Sequence, residues 1–342
     1  ADEARKQVEG FAERLKEANL LLTSGRAHAD AARWSAANLD FTRATELQPN
    51  YSNVWVARGS LYVRLGLWEL AAADFSKAIE LGAPTEGASW FGVPALLWFT
   101  GHEQQCRAFG ADLLGDVEQL SLIDMRGCLL ASIPAADGVA LAARADQLLE
   151  ESSDPPHHRP FGNGPPRASG PPNGKRRQPG LGPPMGRRPG FDQPADRRRG
   201  RQGWLPYGVS LYIAGWAHFR AGQFDRATEL LERSIAQDAV WPGHGIVYPL
   251  LAMAYQRNGQ GDAARESLAA AERFINQWTQ EMADRPVGVM PLLWFDWIEV
   301  LVLYREASIV ITGFAPPDDP RLRSIEQRAL KALENSGTDL VR

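Results

Sequence analysis

The sequence has few cysteines and no long apolar run. Cys106 and Cys128 are the only cysteines among 342 residues, too few for a disulfide scaffold or a cysteine-based zinc site. No run of about 18 apolar residues occurs, so no membrane-spanning helix is predicted. No signal-peptide pattern is present either, so we expect a cytoplasmic location. Because the chain begins with Ala1 instead of Met, we expect it to be part of a longer protein.

Patterns typical of catalysis are also missing. The sequence has no glycine-rich phosphate loop and no kinase motif of the GxGxxG, HRD or DFG type. Among six histidines, His28 and His218 fall at helix-packing positions, and the pair His157-His158 has no cysteine or carboxylate at metal-ligand spacing. We therefore predict a non-catalytic chain, with no catalytic, cofactor-binding or metal-binding residue and no cofactor.

Proline and positive charge are concentrated in one segment. Residues 155–203 contain 12 of the 24 prolines, 10 of the 32 glycines, and 11 Lys or Arg against 2 Asp. Their net charge of +9 leaves −13 on the other 293 residues. This composition cannot bury enough apolar surface to offset the entropy cost of ordering, so we predict a disordered basic insertion over residues 152–203. The insertion is either a solvated tether or a contact for nucleic acid or an anionic membrane, and its scarce aromatic residues favour the tether.

A 34-residue repeat precedes the insertion and returns after it. When the chain is aligned at Ala18 and at Ser52, small and aromatic residues recur at matching positions. The positions are Gly25, Ala37, Phe41, Ala44 and Pro49 in the first copy, Trp55, Gly59, Tyr62, Ala71, Phe75 and Ala78 in the second, and Gly215, Ala227, Ala252, Tyr255, Ala264 and Ala271 after the insertion. Small residues let two helices approach closely, and aromatic residues fill the space between them.

This pattern resembles the tetratricopeptide repeat, a pair of antiparallel helices with the same period. The resemblance implies an all-α fold in which about six hairpins stack into a right-handed superhelical solenoid. It implies an N-terminal block over residues 1–151 and a C-terminal block over residues 204–342, on either side of the insertion. The segments SWFGVPALLWFTGHEQQCRAF and WFDWIEVLVLYREA further resemble tetratricopeptide regions of large multidomain bacterial proteins that also carry Ser/Thr kinase or WD-repeat domains.

Further helices are predicted from the spacing of apolar residues. They are an amphipathic lead-in helix over residues 2–22, two degenerate helical pairs over 89–114 and 118–151, a long apolar helix over 290–311 and a last helix over 320–335. In the lead-in helix, Val8, Phe11 and Leu15 recur at intervals of three or four residues, which places them on one face.

Stacked hairpins of this kind form a concave groove lined by the first helix of each pair. The resemblance places in this groove Asn19, Arg26, Asn53, Ser60, Arg64, Tyr212, Trp216, Phe219, Arg220, Gln256 and Arg257. Tyr212, Trp216 and Phe219 form an aromatic stripe that either anchors a partner or packs against neighbouring helices. Leu22 and Ala57 stand where a clamp for C-terminal carboxylates needs polar residues, so that specialised mode is not expected.

The acidic pair Asp296 and Glu299 lies within an apolar segment. Because the two residues are three apart on one helical face, they favour an internal ion pair over a catalytic site. Most repeat carboxylates, Asp74 among them, are predicted on outer faces of second helices, where water solvates them. Cys106 and Cys128 lie in apolar helical sequence and are predicted to be small core residues.

Three functions remain open from the sequence. The favoured one is a scaffold for protein–protein interaction, which binds a peptide or a partner domain in the concave groove. The second is a regulatory segment of a larger signalling protein, with a kinase domain of the same parent chain as partner. The third is nucleic-acid association through the basic insertion. The sequence does not name the protein partner.

Overall fold

The fold is all-helical in a computed structural model that describes residues 2–85, 90–130, 135–153, 205–237, 241 and 243–334. These residues form fourteen α-helices and no strand, which confirms the predicted fold class. Beyond its first two residues, which end a helix, the basic insertion predicted over 152–203 lies outside the described residues.

The helices follow one another as antiparallel hairpins. They are α1 (Asp2–Asp30), α2 (Trp34–Leu47), α3 (Ser52–Leu65), α4 (Trp68–Glu80), α5 (Val93–Phe99), α6 (Glu103–Leu114), α7 (Leu122–Leu129), α8 (Ala135–Ser153), α9 (Tyr207–Arg220), α10 (Phe224–Ala236), α11 (Val247–Arg257), α12 (Gly261–Asp284), α13 (Trp294–Thr312) and α14 (Pro320–Glu334). Six hairpins run from α1 to α12, and α13 and α14 follow the last one. The predicted lead-in helix is continuous with the first repeat helix, so both are part of α1.

Close helix contacts at glycine hold the hairpins together. A Cβ atom added to Gly25 would lie 2.6 Å from Cε1 of Phe41, and one added to Gly215 would lie 2.8 Å from Cγ of Leu231. Of the repeat positions given above, Pro49 is exposed, Trp55 and Tyr255 are half-buried, and the others are buried. The 34-residue pattern therefore marks the face that each hairpin turns inward.

In the hairpin turns that the structure describes, one residue adopts the left-handed conformation. Gly66, Gly222 and Gly259 fill this position after α3, α9 and α11, with φ between 75° and 76°. The first hairpin has Ala32 there instead, with φ of 54°, and Ala32 lies 34 residues before Gly66. A side chain in this backbone conformation is strained, because its Cβ approaches the following carbonyl.

Asp74, a carboxylate on the second helix of a hairpin, is buried and not solvated as predicted. Asp74 on α4 is buried and accepts hydrogen bonds from Nε and Nη2 of Arg58, each 2.8 Å long. Burial raises the pKa of Asp74, and Arg58 opposes that shift. The prediction of a solvated Asp74 is wrong, because α3 supplies a guanidinium that the spacing along α4 does not reveal.

The two cysteines are both completely buried. Burial raises the pKa of the Cys106 thiol and that of the Cys128 thiol to about 12. Their predicted role as small core residues is confirmed.

Candidate partner-binding surface

Helix α13 contacts several of the hairpins. It packs against α5 and α11, which are first helices of their hairpins, and against α12. At the start of α5, a Cβ on Gly92 would overlap with Trp294 and Phe295 of α13. Side chains of α13 also bond to α7 and α9, the first helices of the two hairpins between α5 and α11. The first helices of these four hairpins therefore all make contacts with a helix of the same chain.

A buried cluster of charges joins α13 to α7. Arg126 of α7 donates from Nε to Oε2 of Glu299 at 3.0 Å, and from Nη2 to Oε1 of Glu299 at 2.7 Å. Nη2 of Arg126 also donates to Oδ1 of Asp296 at 2.6 Å. Tyr212 of α9 donates its hydroxyl to Oε1 of Glu299 at 2.7 Å. The predicted ion pair at Asp296 and Glu299 is confirmed, and its cation is Arg126.

The electrostatics of this cluster follow from its burial. Burial alone lowers the pKa of Arg126, but Glu299 and Asp296 outweigh that effect and hold the pKa above its ordinary value. Burial raises the pKa of Glu299, and the charge of Arg126 opposes the shift. Burial also raises the pKa of Tyr212, which remains a neutral hydrogen-bond donor. The arrangement fixes the register of α13, because a helix shifted by one turn would leave a charge unpaired.

A second ion pair holds the other end of α13. Arg220 of α9 donates from Nη1 and Nη2 to the carboxylate of Glu306 at 2.8 and 3.0 Å. Its Nε donates to the carbonyl oxygen of Leu129 at 2.9 Å. Arg220, predicted as a groove residue, therefore binds α13 and the end of α7, so its partner lies within the same chain.

The aromatic stripe of α9 is also covered. Tyr212 and Trp216 are completely buried, and Phe219 is 8% exposed. Tyr212 packs on the rings of Trp216 and Trp241, with centroids 5.8 and 5.7 Å apart. Of the two alternatives for this stripe, packing within the fold holds, because α7, α8 and α10 pack against α9.

The predicted groove residues of the first two hairpins remain exposed. Asn19 and Arg26 lie on α1, and Asn53, Ser60 and Arg64 lie on α3. The 34-residue period relates Asn19 to Asn53 and Arg26 to Ser60, so the two helices present equivalent faces. We call these five residues the α1–α3 surface. On α11, far along the chain, Arg257 is exposed and Gln256 is half-buried.

Hydrogen-bond donors dominate the α1–α3 surface. Nη1 of Arg64 lies 3.6 Å from Oδ1 of Asp30, and its guanidinium lies 4.9 Å from the centroid of the Trp34 ring. Arg26 lies one turn before Asp30 on α1 and forms no ion pair with any described residue. Asn53 donates to the hydroxyl of Tyr51 at 2.8 Å. This surface can therefore bind carbonyl and carboxylate oxygens.

Two further features are expected to be absent, a metal site and a membrane-spanning helix. In the described part of the chain, no group of three or more His, Cys, Asp or Glu could hold a metal ion. Within the same residues, no helix is both long and apolar enough to cross a membrane.

Two segments of the chain are similar to a known repeat family. Residues 22–85 and 212–277 match the tetratricopeptide repeat family. These two tetratricopeptide segments contain the clear repeats on both sides of the insertion, and together they make up less than half of the chain. Among solved structures, the chain is similar to the tetratricopeptide domain of P58(IPK), with 12% identity, 99% of this chain and 100% of that chain covered, and a TM-score of 0.21. A comparison with curated proteins found no match.

Proposed function

We propose that this chain is a non-catalytic scaffold for protein–protein interaction, and that its partner binds the α1–α3 surface. The family match of the hairpins supports the general role, because the matching family is a repeat and not a catalytic domain. The observation that carries the location is the contrast between the two parts of the inner surface. Asn19, Arg26 and Asn53 are exposed, whereas the equivalent region of α9 is enclosed.

The chemistry of the surface suggests the kind of partner. Arg26 and Arg64 supply two guanidinium groups, and the asparagines supply amide donors. Equivalent donors along each helix are seven residues apart, which is about 10 Å. An extended peptide segment with Asp or Glu residues matches these donors, because arginine binds carboxylates with two parallel hydrogen bonds. We therefore propose an acidic, extended segment of another protein as the ligand.

Affinity purification with matched variants tests this proposal. Arg26→Glu reverses a charge on the α1–α3 surface, and Arg43→Glu reverses one on α2, where Arg43 pairs with Glu46 at 3.3 Å. The wild type and Arg43→Glu should capture the same partner, and Arg26→Glu should lose it. Urea unfolding should show unchanged stability of Arg26→Glu. Equal capture by Arg26→Glu would exclude the α1–α3 surface as the site.

The other two candidate functions, kinase regulation and nucleic-acid association, are supported by the sequence and by no contact in the described structure. Regulation of a kinase of the same parent chain requires sequence beyond this chain. Nucleic-acid association depends on residues 155–203, of which the structure describes none. Salt-titrated binding of labelled RNA to the chain with and without residues 155–203 tests it, and equal binding by both proteins would exclude it.

A further inference from the structure

Among the described helices, none covers the first half of α1, whose residues are mostly exposed. Helix α2 is 14 residues long, whereas α1 is 29 residues long. Phe41 of α2 lies against Gly25, so α2 covers the second half of α1. We call residues 2–17 of α1 the overhang. At 1.5 Å per residue, the overhang is about 24 Å long.

The overhang has an apolar seam with a strict seven-residue period. Ala4, Val8, Phe11 and Leu15 occupy the alternating three- and four-residue positions of a coiled coil, conventionally called d, a, d and a. Val8 is 67% exposed and Phe11 is 51% exposed, which is unusual for two large apolar side chains on one helical face.

The same seam continues into the folded stack, where it is buried. The next positions of the period are Ala18, Leu22 and Gly25, which lie in the contact with α2 and its neighbours. The overhang is therefore the uncovered continuation of an established helix–helix interface. Because this face of α1 packs on a helix further along the chain, the overhang can pack on a helix in the same way.

We propose that the overhangs of two copies of this chain pair as an antiparallel coiled coil. Antiparallel pairs place each a residue opposite a d residue. With Val8 opposite Phe11 of the second copy, Ala4 falls opposite Leu15, so all four seam residues find an apolar partner. This register uses residues 2–17 of both copies and ends where α2 begins to cover α1.

Charge is compatible with this register. The seam is flanked by Arg5, Gln7, Ala12 and Arg14. In the antiparallel register, Arg5 faces Ala12 of the second copy and Arg14 faces Gln7, so no two like charges oppose each other. Residues 2–17 carry five acidic and four basic side chains, and self-repulsion is therefore small. Because the seam is short, we expect a weak dimer whose fraction increases with protein concentration.

Sedimentation equilibrium of the complete chain over a range of concentrations tests the pairing. The mass of the wild type should rise from 37.6 kDa towards twice that value. Phe11→Glu should weaken the dimer by about 100-fold, since each of two buried carboxylates costs about tenfold or more. Leu20→Glu is the matched control, because Leu20 is 62% exposed on α1 but lies outside the seam, and it should dimerise as the wild type does. A wild type that stays monomeric, or a Phe11→Glu variant that dimerises normally, would overturn the proposal.

Disulfide trapping tests the direction of the two helices. Val8→Cys and Phe11→Cys proteins, mixed under oxidising conditions, should cross-link to each other faster than either does alone. The native thiols of Cys106 and Cys128 are buried and do not compete. A parallel pair would instead cross-link Val8→Cys to itself, and that outcome would overturn the antiparallel register. Because Arg26→Glu leaves the seam intact, a failure of the partner-binding proposal does not affect this test.

Discussion

Arg126 on α7 and Glu299 on α13 are joined by two hydrogen bonds, although 173 positions separate them in the chain. Both side chains are almost completely enclosed, with 6% and 3% of their surface exposed. A buried ion pair adds little net stability compared with apolar residues of the same size, but loss of one partner is costly. The pair therefore specifies where α13 lies more than it stabilises the fold.

Arg126→Met should destabilise the protein strongly. It leaves Asp296 and Glu299 buried without their cation, at a cost of about 3–5 kcal/mol in the free energy of unfolding. Urea unfolding monitored by circular dichroism measures this change. Arg43→Met, at an exposed pair on α2, serves as the control and should change the stability by less than about 0.5 kcal/mol.

Combined replacement of the cluster provides the complementary measurement. Arg126→Met together with Asp296→Leu and Glu299→Met removes all three charges and should recover most of the lost stability. A triple variant that is no more stable than Arg126→Met alone would show that the cluster contributes net stability.

Trp216→Ala should destabilise the fold. Trp216 is completely buried on α9, and truncation of a buried tryptophan costs about 3–5 kcal/mol. The midpoint of thermal unfolding should fall accordingly. Arg257→Ala on α11, which is exposed, is the comparison and should leave the midpoint almost unchanged. A Trp216→Ala protein with wild-type stability would contradict the burial of Trp216 in the fold.

Ala32→Gly should stabilise the protein by about 0.5–1 kcal/mol. Glycine relieves the left-handed strain at this position, and part of the gain is offset by the greater entropy of glycine in the unfolded chain. Ala31→Gly adds the same entropy without the relief, so it should destabilise by a similar amount. Urea midpoints of the two variants should therefore move in opposite directions, and a shared direction would contradict the strain at Ala32.

The thiols of Cys106 and Cys128 should not react in the native protein at pH 8. With a pKa of about 12, neither forms an appreciable amount of thiolate at that pH. A colorimetric thiol reagent should detect no thiol under native conditions and two thiols in denaturing urea. Rapid reaction of either thiol in the native state would contradict the burial.

The same pKa shifts give a direction for stability at high pH. The pKa of each thiol is about 12 in the folded chain, against an ordinary value of 9.0. The folded state therefore keeps protons that the unfolded state loses. This contribution to stability is complete below pH 9 and is lost as the pH rises towards 12. Cys106→Ser should show a smaller loss of stability over that interval, measured by urea unfolding at each pH.

The hairpins could be predicted from the sequence because their contacts are local. Gly25 meets Phe41 within one hairpin, and the same spacing recurs at Gly59 and Phe75. The period therefore records both the helices and the faces that they bury. The exposed donors of α1 and α3 follow from the same period.

The position of α13 could not be predicted in this way. Its sequence indicates a long apolar helix, but nothing in the spacing shows which surface the helix covers. Glu299 indicates a buried ion pair, yet its cation is on α7 and outside any repeat position. Contacts of this range depend on how the whole stack curves, and a pattern within one helix does not contain that information.

The C-terminal part of the chain also returns to the first hairpins, where Gly288 lies against Trp34 and Met290 against Gly66. In an open stack, each repeat contacts only its neighbours, so hairpins can fold one after another and fray from either end. Here the first hairpins and the C-terminal segment depend on each other, so beyond the overhang neither end of the stack frays independently. We expect unfolding to be a single cooperative transition and folding to be slow for a helical protein, because the closing contacts join residues more than two hundred positions apart.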